Sequence, residues 1–194
     1  MKADLIEKAY AVAKERYAAI GVDTDAVLDL LQKQQLSLHC WQTDDVVGFE
    51  RNEALSGGIQ TTGNYPGRAR TIEEVRQDIE FVKTLLAGNH RLNLHEIYGD
   101  FGGQFVDRDQ VEVKHFQSWI DWAKENNMKL DFNSTSFSHP KSGDLTLSNP
   151  DKSIRDFWIE HTKRCRRIAD AMGKAQNDPC IILSVICLFY DHIG

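Results

Sequence analysis

The sequence predicts a parallel α/β fold, in which strands and helices alternate along the chain. Four segments with the features of strands are separated by segments with helical periodicity, and this order is typical of a parallel sheet covered by helices. The chain has 194 residues, of which 41% are hydrophobic, so it can bury one core of ordinary size. No internal repeat or low-complexity tract accompanies the alternation. A single structural domain is expected.

Two helices are predicted ahead of the first strand. Apolar residues from Ile6 to Ile20 recur at spacings of four and three, which predicts a helix that stops at Gly21. Asp23 or Thr24 can cap a second, shorter helix that runs to about Gln34.

The four strands are predicted from short apolar or alternating segments. In the second, Leu92 and Leu94 alternate with Asn93 and His95, which is the period of a strand. The last is a long uncharged run after a turn at Asp178 and Pro179, and its open edge would favour aggregation. The predicted strands are Leu36–Trp41, Arg91–Tyr98, Lys129–Asn133 and Ile181–Tyr190.

Three further helices are predicted between these strands. Thr71 and Glu74 have the spacing of a capping box and begin the first. The second contains Val113–Ala123, with its two tryptophans on the flank of the apolar face. Asn149, followed by Pro150 at the first helical position, begins the third. The stretch between Gln42 and Arg70 has no regular period and is expected to be a long functional loop.

The pattern alone leaves two architectures open. One is an open doubly wound sheet, and the other is the first half of a (β/α)8 barrel, which typically takes about 250 residues. The sequence contains neither GxGxxG nor GxxxxGK[ST], so the dinucleotide-binding and P-loop folds lose their usual support.

Charge and cysteine usage indicate a cytoplasmic protein with a small-molecule ligand. The formal net charge is −6, and no long basic block offers a surface for nucleic acid. Charged residues interrupt the N-terminus, which excludes a signal peptide, and the apolar run near the C-terminus is about half of a membrane span. The four cysteines have no metal-ligand spacing and are expected to be free thiols.

The candidate site lies at the carboxyl ends of the strands, where ligands bind in parallel α/β folds. Trp41, His95 and Asn133 lie at or near the carboxyl ends of three of the predicted strands, and aromatic rings combined with short polar groups suit a polyol. His39, His95 and His139 could together ligate a metal ion, although no HxxxH pair supports such a site. His161 shares a helix face with apolar residues and is expected to be a hydrogen-bonded interior histidine.

Several ordered motifs strongly resemble the L-rhamnose isomerase family. The resemblance runs from near the N-terminus to about Cys180, and the tail 181–194 diverges from the family pattern. The motifs are LHCWQ at 38–42, VVGFE at 46–50, GGIQTTGNYPGRAR at 57–70, RLNLH at 91–95, LDFN at 130–133, FSHP at 137–140 and FWIEH at 157–161.

The resemblance implies isomerisation of L-rhamnose to L-rhamnulose by a cytoplasmic homotetramer that uses a divalent metal, typically manganese. It implies a xylose-isomerase-like (β/α)8 TIM barrel, of which this chain is the N-terminal half. Residues 1–35 would be the leading helices and residues 36–194 a partial barrel of about four strands. It places Trp41, His95 and Phe132 in the sugar pocket, and the segment Gly48–Gly67 near the pocket mouth or a subunit contact.

The family's metal ligands lie on later strands, so no catalytic residue or metal ligand is assigned within this chain. We therefore expect a truncated chain that is inactive alone. The alternative is a non-catalytic half-barrel that binds sugar weakly or associates with other subunits. A zinc endonuclease on a related barrel is disfavoured by the acidic balance of the chain.

Overall fold

A computed structural model of the chain describes residues 2–39, 48–50, 69–136, 139–143 and 145–183. Helices and strands alternate through these ranges, which confirms the predicted α/β class. The helices are α1 (Ala3–Ala18), α2 (Thr24–Leu31), α3 (Ile72–Leu85), α4 (Gln117–Glu125) and α5 (Lys152–Gln176), and the strands are β1 (Ser37–His39), β2 (Arg91–His95), β3 (Lys129–Asn133) and β4 (Ile182–Leu183).

The strands form one parallel sheet in the order β1-β2-β3-β4. Leu38 pairs with Leu92, Leu92 with Leu130, and Phe132 with Ile182. Within the described residues the edge strands are β1 and β4, because β3 has a partner on each side. Strand β4 is therefore an edge strand of the described sheet, as the predicted open edge of the last strand requires, whereas β3 is paired on both sides. The segment from residue 184 onwards, which was expected to continue β4, lies outside the described residues.

The sheet has an apolar face and a polar face. Successive residues of a strand point to opposite sides, and register partners share a side. The helix face carries Leu92, Leu94, Leu130 and Phe132, which belong to the apolar core. The polar face carries Ser37, His39, Arg91, Asn93, His95, Asp131 and Asn133.

The core fills the space between the helix face of the sheet and helices α4 and α5. Trp119 is fully buried, and its Nε1 donates to the carbonyl oxygen of Tyr98 at 2.7 Å. Its ring meets that of Trp122 edge to face, at 5.6 Å between centroids. The two tryptophans were predicted to flank the apolar face, and they lie in the core instead. A buried indole is stabilised when its N–H finds an acceptor, as it does here.

Helices α1 and α2 have no buried residue. They contact each other through Asp25, whose carboxylate accepts hydrogen bonds from Tyr10 Oη at 2.7 Å and from Lys14 Nζ. The apolar spacing in α1 predicts a helix correctly, but its apolar side chains remain largely exposed in this chain. In α1, Ile6 and Tyr17 are each 51% exposed, and in α2 Leu30 is 59% exposed.

Side-chain caps set the starts of three helices. Asp23 caps α2 by accepting from the backbone N–H groups of the first turn. Thr71 Oγ1 caps α3 at Glu74 N, while the Glu74 carboxylate turns outward and accepts from Arg70. The predicted start of the last helix is wrong: Asp151, rather than Asn149, is its cap.

Asn149 lies before the cap of α5 and orients the capping residue, instead of capping the helix itself. Its Oδ1 accepts from the backbone N–H of Asp151 at 2.9 Å and so positions that residue as the cap. Pro150 therefore lies before the helix and not at its first position. At the other end, α5 stops at Asn177, whose φ of 49° is the left-handed conformation that asparagine tolerates well.

Candidate functional site

The carboxyl ends of β1, β2 and β3 bring polar side chains together on the polar face of the sheet. His39 pairs in register with Asn93, and His95 pairs with Asn133 one step further along the strands. Asn93, His95 and Asn133 are all buried, with at most 3% of their surface exposed. A buried cluster of imidazole and amide groups offers both donors and acceptors, which is the chemistry that hydroxyl-rich ligands require.

His95 is the most deeply buried of the predicted site residues on this face. Its Nδ1 lies 3.0 Å from Thr135 Oγ1, and its ring packs 5.6 Å from that of Tyr98. Burial, together with the nearby His39 and Arg108, lowers the pKa of His95 to about 3. The imidazole is therefore neutral at physiological pH and serves as a hydrogen-bonding group, since so weak a base holds a proton poorly.

Next to His95, the carboxyl end of the sheet is held by a buried arginine. Arg108 has no exposed surface, and its Nη2 donates to Glu50 Oε1 at 2.6 Å. Its Nε lies 3.4 Å from Glu96 Oε2, and its Nη1 donates to the carbonyl oxygen of Thr135 at 2.7 Å. One guanidinium thus joins the segments that follow β2 and β3 to the segment that contains Glu50.

Sequence reasoning missed Arg108 as a site residue. It begins a short 3₁₀ helix, Arg108–Gln110, with no sequence motif around it, and a lone arginine between predicted elements is usually solvated. Glu50 belongs to one of the motifs that carry the family resemblance, and this was the only signal that pointed toward the cluster.

Phe132 lies on the other side of the sheet from His95. Its ring is fully buried and meets Phe116 edge to face, at 5.1 Å between centroids. Phe132 pairs with Leu94, whereas His95 pairs with Asn133, so strand alternation points the two predicted pocket residues to opposite faces. The structure does not bring them together. Trp41, the third predicted residue, lies outside the described residues, as do residues 51–68 of the predicted loop.

The other predicted histidines have structural partners. His139 Nδ1 accepts from the backbone N–H of Lys141 at 3.0 Å, so Nε2 carries the proton that is donated to Asp107 Oδ1 at 2.9 Å. Both ring nitrogens of His161 lie within hydrogen-bonding distance of backbone carbonyl oxygens, those of Arg108 and Ser134. The prediction that His161 is a hydrogen-bonded interior residue is confirmed.

The described residues do not fit a metal ion. Across the ranges that the structure covers, no three His, Cys, Asp or Glu side chains are close enough to hold one. The carboxylates of Glu50 and Glu96 both pair with Arg108. No step of the chemistry below is therefore derived through a metal held by these residues.

At the amino ends of the strands, the polar face is closed by an ion-pair network. Arg91 donates to both oxygens of Asp131, at 2.9 and 2.8 Å, and to Asp178 Oδ2 at 2.6 Å. Ser37 Oγ donates to Asp131 Oδ2 at 2.6 Å. These groups satisfy one another, so this end of the face is structural and the candidate site is confined to the carboxyl end.

Two further features of the described ranges lie away from the candidate site. A groove of about 700 Å³ runs between the last turns of α5 and the start of β4, at the amino end of the sheet. On α5, Lys163, Arg164 and Arg167 form ion pairs with Glu160, and Arg164 Nε lies 3.1 Å from Glu160 Oε1. None of the helices in the part of the chain described here combines the length and apolar character of a membrane span.

Comparison with known proteins identifies the family. A profile of the L-rhamnose isomerase (RhaA) family matches residues 4–190, which extends past Cys180 into the segment predicted to diverge. The L-rhamnose isomerase of Bacteroides thetaiotaomicron is 69% identical over 182 residues, which cover 93% of this chain and 44% of that protein. The L-rhamnose isomerase of Rhodopirellula baltica is 55% identical over 182 residues, covering 93% of this chain and 42% of that protein.

A third relative gives the same picture. The L-rhamnose isomerase of Listeria monocytogenes is 54% identical over 171 residues, covering 87% of this chain and 40% of that protein. The chain thus spans less than half the length of the curated relatives it matches. A family profile that covers nearly the whole chain, with more than half of the aligned residues identical in each of these relatives, leads to one conclusion. The chain belongs to the L-rhamnose isomerase family.

Proposed function

We propose that this chain supplies the N-terminal half of a (β/α)8 barrel that converts L-rhamnose to L-rhamnulose. In this proposal the polar face of the sheet becomes the interior of the barrel, and its carboxyl end becomes part of the sugar pocket. The observation that carries the proposal is the buried pair of His95 and Asn133 at the ends of adjacent parallel strands. Ligands bind at this end in barrels of this type.

Within the pocket, the described residues would bind and orient the sugar. The neutral imidazole of His95 and the amide of Asn133 can exchange hydrogen bonds with hydroxyl groups, which fixes the open-chain sugar for reaction. The proposal assigns no hydrogen transfer to them. The imidazole is too weakly basic, and Asp131 is neutralised by Arg91.

Turnover would then require the strands that follow in the longer relatives. We include in the proposal the manganese ion, the homotetramer and the cytoplasmic location that the resemblance implies. A divalent metal would polarise the sugar carbonyl during transfer of hydrogen between C1 and C2. The family resemblance places the ligands of this metal on the strands that follow in the longer relatives.

The test is complementation between two polypeptides. The purified chain would be mixed with a second polypeptide that carries the part of the Bacteroides thetaiotaomicron relative beyond the matched residues, and ketose formation from L-rhamnose would be followed with and without manganese. We expect manganese-dependent turnover from the mixture and none from the chain alone. His95→Gln should weaken turnover at least about tenfold, the effect of about one well-placed hydrogen bond.

His90→Gln is the matched control. His90 accepts from the backbone N–H of Leu36 at 3.3 Å, near the amino end of the sheet, so the same chemical change there should leave turnover unaltered. Turnover by the chain alone would contradict the requirement for the second half. A soluble complex of the two polypeptides that does not convert L-rhamnose would contradict the isomerase proposal.

A second candidate function is a non-catalytic fragment that associates with other subunits. The exposed apolar side chains of α1 and α2 favour it, because monomeric proteins seldom expose contiguous apolar surface. The mass of the purified chain, measured by light scattering with and without a full-length isomerase, tests this function. Association without any gain in turnover would support it over the first proposal.

A further inference from the structure

We propose that Thr135 is a positioning residue, which holds the His95 imidazole in the tautomer that carries its proton on Nδ1 and leaves Nε2 as a hydrogen-bond acceptor. The role of this acceptor in sugar binding rests on the proposed function, whereas the tautomer itself does not. Three observations lead to the inference: the backbone of Thr135, the contacts that hold it, and the hydrogen bonds of its hydroxyl group.

The backbone of Thr135 is in a conformation that threonine rarely adopts. Its φ is +40°, in the left-handed region. The other non-glycine residues with positive φ in the described ranges are Asn127 and Asn177, and asparagine is several-fold enriched there. A β-branched residue in this region is an outlier, and such backbone strain persists mainly where the surrounding structure imposes it, often at functional sites.

The strain is imposed by buried neighbours. Thr135 has no exposed surface, and its N–H donates to Asn133 Oδ1 at 2.9 Å. Its carbonyl oxygen accepts from Arg108 Nη1 at 2.7 Å, and Arg108 is itself held by Glu50 at 2.6 Å. The residue is therefore fixed from both sides of its backbone.

The left-handed turn returns the hydroxyl group to the end of the neighbouring strand. Asn133 is the last residue of β3 and the register partner of His95. If the strand continued in extended form, residue 135 would lie about 6–7 Å further along the axis, beyond the reach of the imidazole. Instead, Thr135 Oγ1 lies 3.0 Å from His95 Nδ1.

The hydroxyl group decides the tautomer. Thr135 Oγ1 has a single proton, and it also lies 3.4 Å from the carbonyl oxygen of Asn133, which can only accept. When the hydroxyl donates to that carbonyl, its lone pairs face His95 Nδ1, and the ring nitrogen must be the donor. The reverse assignment would set two acceptor oxygens against each other in a buried site, which is unfavourable.

The consequence is a neutral imidazole with a defined polarity. Since burial lowers the pKa of His95 to about 3, the ring carries one proton at physiological pH, and the only choice left is which nitrogen holds it. With Nδ1 protonated, Nε2 is the acceptor on the edge of the ring that faces away from Thr135. A sugar hydroxyl at that edge would donate to it.

Nitrogen-15 NMR of the histidine-labelled chain tests the inference without sugar or metal. A hydrated sediment studied by magic-angle spinning gives the spectrum whether or not the chain associates, and His95→Gln identifies the resonances of His95. We expect a proton on Nδ1 and a bare Nε2. Thr135→Val keeps the shape of the side chain and removes the hydroxyl group, so the ratio of the two tautomers should fall at least about tenfold, as expected for about one hydrogen bond.

Thr135→Ser is the matched control, because it retains the hydroxyl group and should retain the tautomer. Thermal unfolding of each variant, followed by the fluorescence of the buried tryptophans, shows whether it folds. A wild-type His95 protonated on Nε2 would overturn the inference. A folded Thr135→Val variant with an unaltered tautomer ratio would also overturn it. If Thr135→Val does not fold, a Thr135→Ser variant in which His95 no longer carries its proton on Nδ1 would do so. All of these results are independent of complementation, so they separate this inference from the proposed function.

Discussion

Asp131 is the residue whose replacement most directly tests how the polar face is stabilised. Its carboxylate has no exposed surface and accepts from Arg91, from Ser37 Oγ at 2.6 Å and from the backbone N–H of Ile181 at 2.8 Å. Asp131→Asn keeps the size of the side chain and an oxygen for Ser37 or Ile181. It removes the negative charge that faces the buried guanidinium.

The expected loss is about 3 kcal/mol in the free energy of unfolding. Removing one partner of a buried ion pair typically costs about 3–5 kcal/mol, because the remaining charge is left buried. Arg91 keeps part of its compensation, since it still donates to Asp178 Oδ2 and to the carbonyl oxygen of Pro179, each at 2.6 Å. The lower end of the range therefore applies, which is a large part of the roughly 5–15 kcal/mol that stabilises an ordinary domain.

Urea unfolding at neutral pH measures the loss, with Asp170→Asn as the control. Asp170 pairs with Lys174 on the exposed surface of α5, at 2.7 Å, and its side chain is 62% exposed. The same chemical change there should alter the free energy of unfolding by no more than about 0.5 kcal/mol.

The pH dependence supplies a second measurement. Burial alone would raise the pKa of Asp131, but the hydrogen bonds from Arg91 and Ser37 outweigh it and hold the pKa below its ordinary value. A carboxylate with a lowered pKa stabilises the fold above its unfolded pKa, about 3.9, and this stabilisation is lost as the pH falls through the folded value. The difference between wild type and Asp131→Asn should therefore narrow below about pH 4. A loss under about 1 kcal/mol at neutral pH, or a difference that does not change on acidification, would refute the reasoning.

Three further outcomes are expected. Gly48 has a φ of +85°, and a Cβ there would lie 2.8 Å from Ile97 Cβ and 2.9 Å from Ile97 Cγ1 and Cδ1, so Gly48→Ala should lower the free energy of unfolding by about 1–3 kcal/mol. The loss should be smaller in an Ile97→Ala background, which removes Cγ1 and Cδ1, and equal losses in a double-mutant cycle would contradict this. Burial raises the pKa of the Cys165 thiol well above its ordinary value, so its alkylation should be at least about tenfold slower in the folded chain than in urea. Mass spectrometry measures the rate at this residue, and similar rates in both conditions would argue against a buried thiol. Amide hydrogens of α1 and α2, which bury no side chain, should exchange well before those of β2, and equal protection would show that another surface covers these helices.

The parts of the fold that the sequence predicts well are those with a strong local signal. The bounds of β3 agree with the prediction at both ends, because its apolar residues alternate within a segment bounded by Asn127 and Ser134. The cap at Thr71 is also local, since it depends on a residue three positions away. The second strand is shorter than predicted, because the chain turns into a 3₁₀ helix at Glu96–Tyr98 and aims Tyr98 into the core.

The candidate site is harder to predict because it depends on contacts between distant segments. Strand periodicity shows that Phe132 and Asn133 point to opposite faces, but it does not show which face the helices cover. Arg108 and Glu50 are 58 residues apart and meet only in the folded chain. The local sequence allows either Asn149 or Asp151 to cap α5. The hydrogen bond from the backbone N–H of Asp151 to Asn149 Oδ1, which the sequence does not reveal, places Asp151 as the cap.

The ion pairs of the polar face also have a kinetic consequence. Arg91 joins Asp131, 40 residues away, to Asp178, 87 residues away, so the network is complete only after the last strand of the described sheet has docked. Contacts between such distant residues form late, because the intervening chain must first be ordered. Stabilisation that arises after the folding transition state slows unfolding and leaves the folding rate nearly unchanged. The network would therefore act mainly to lengthen the lifetime of the folded sheet.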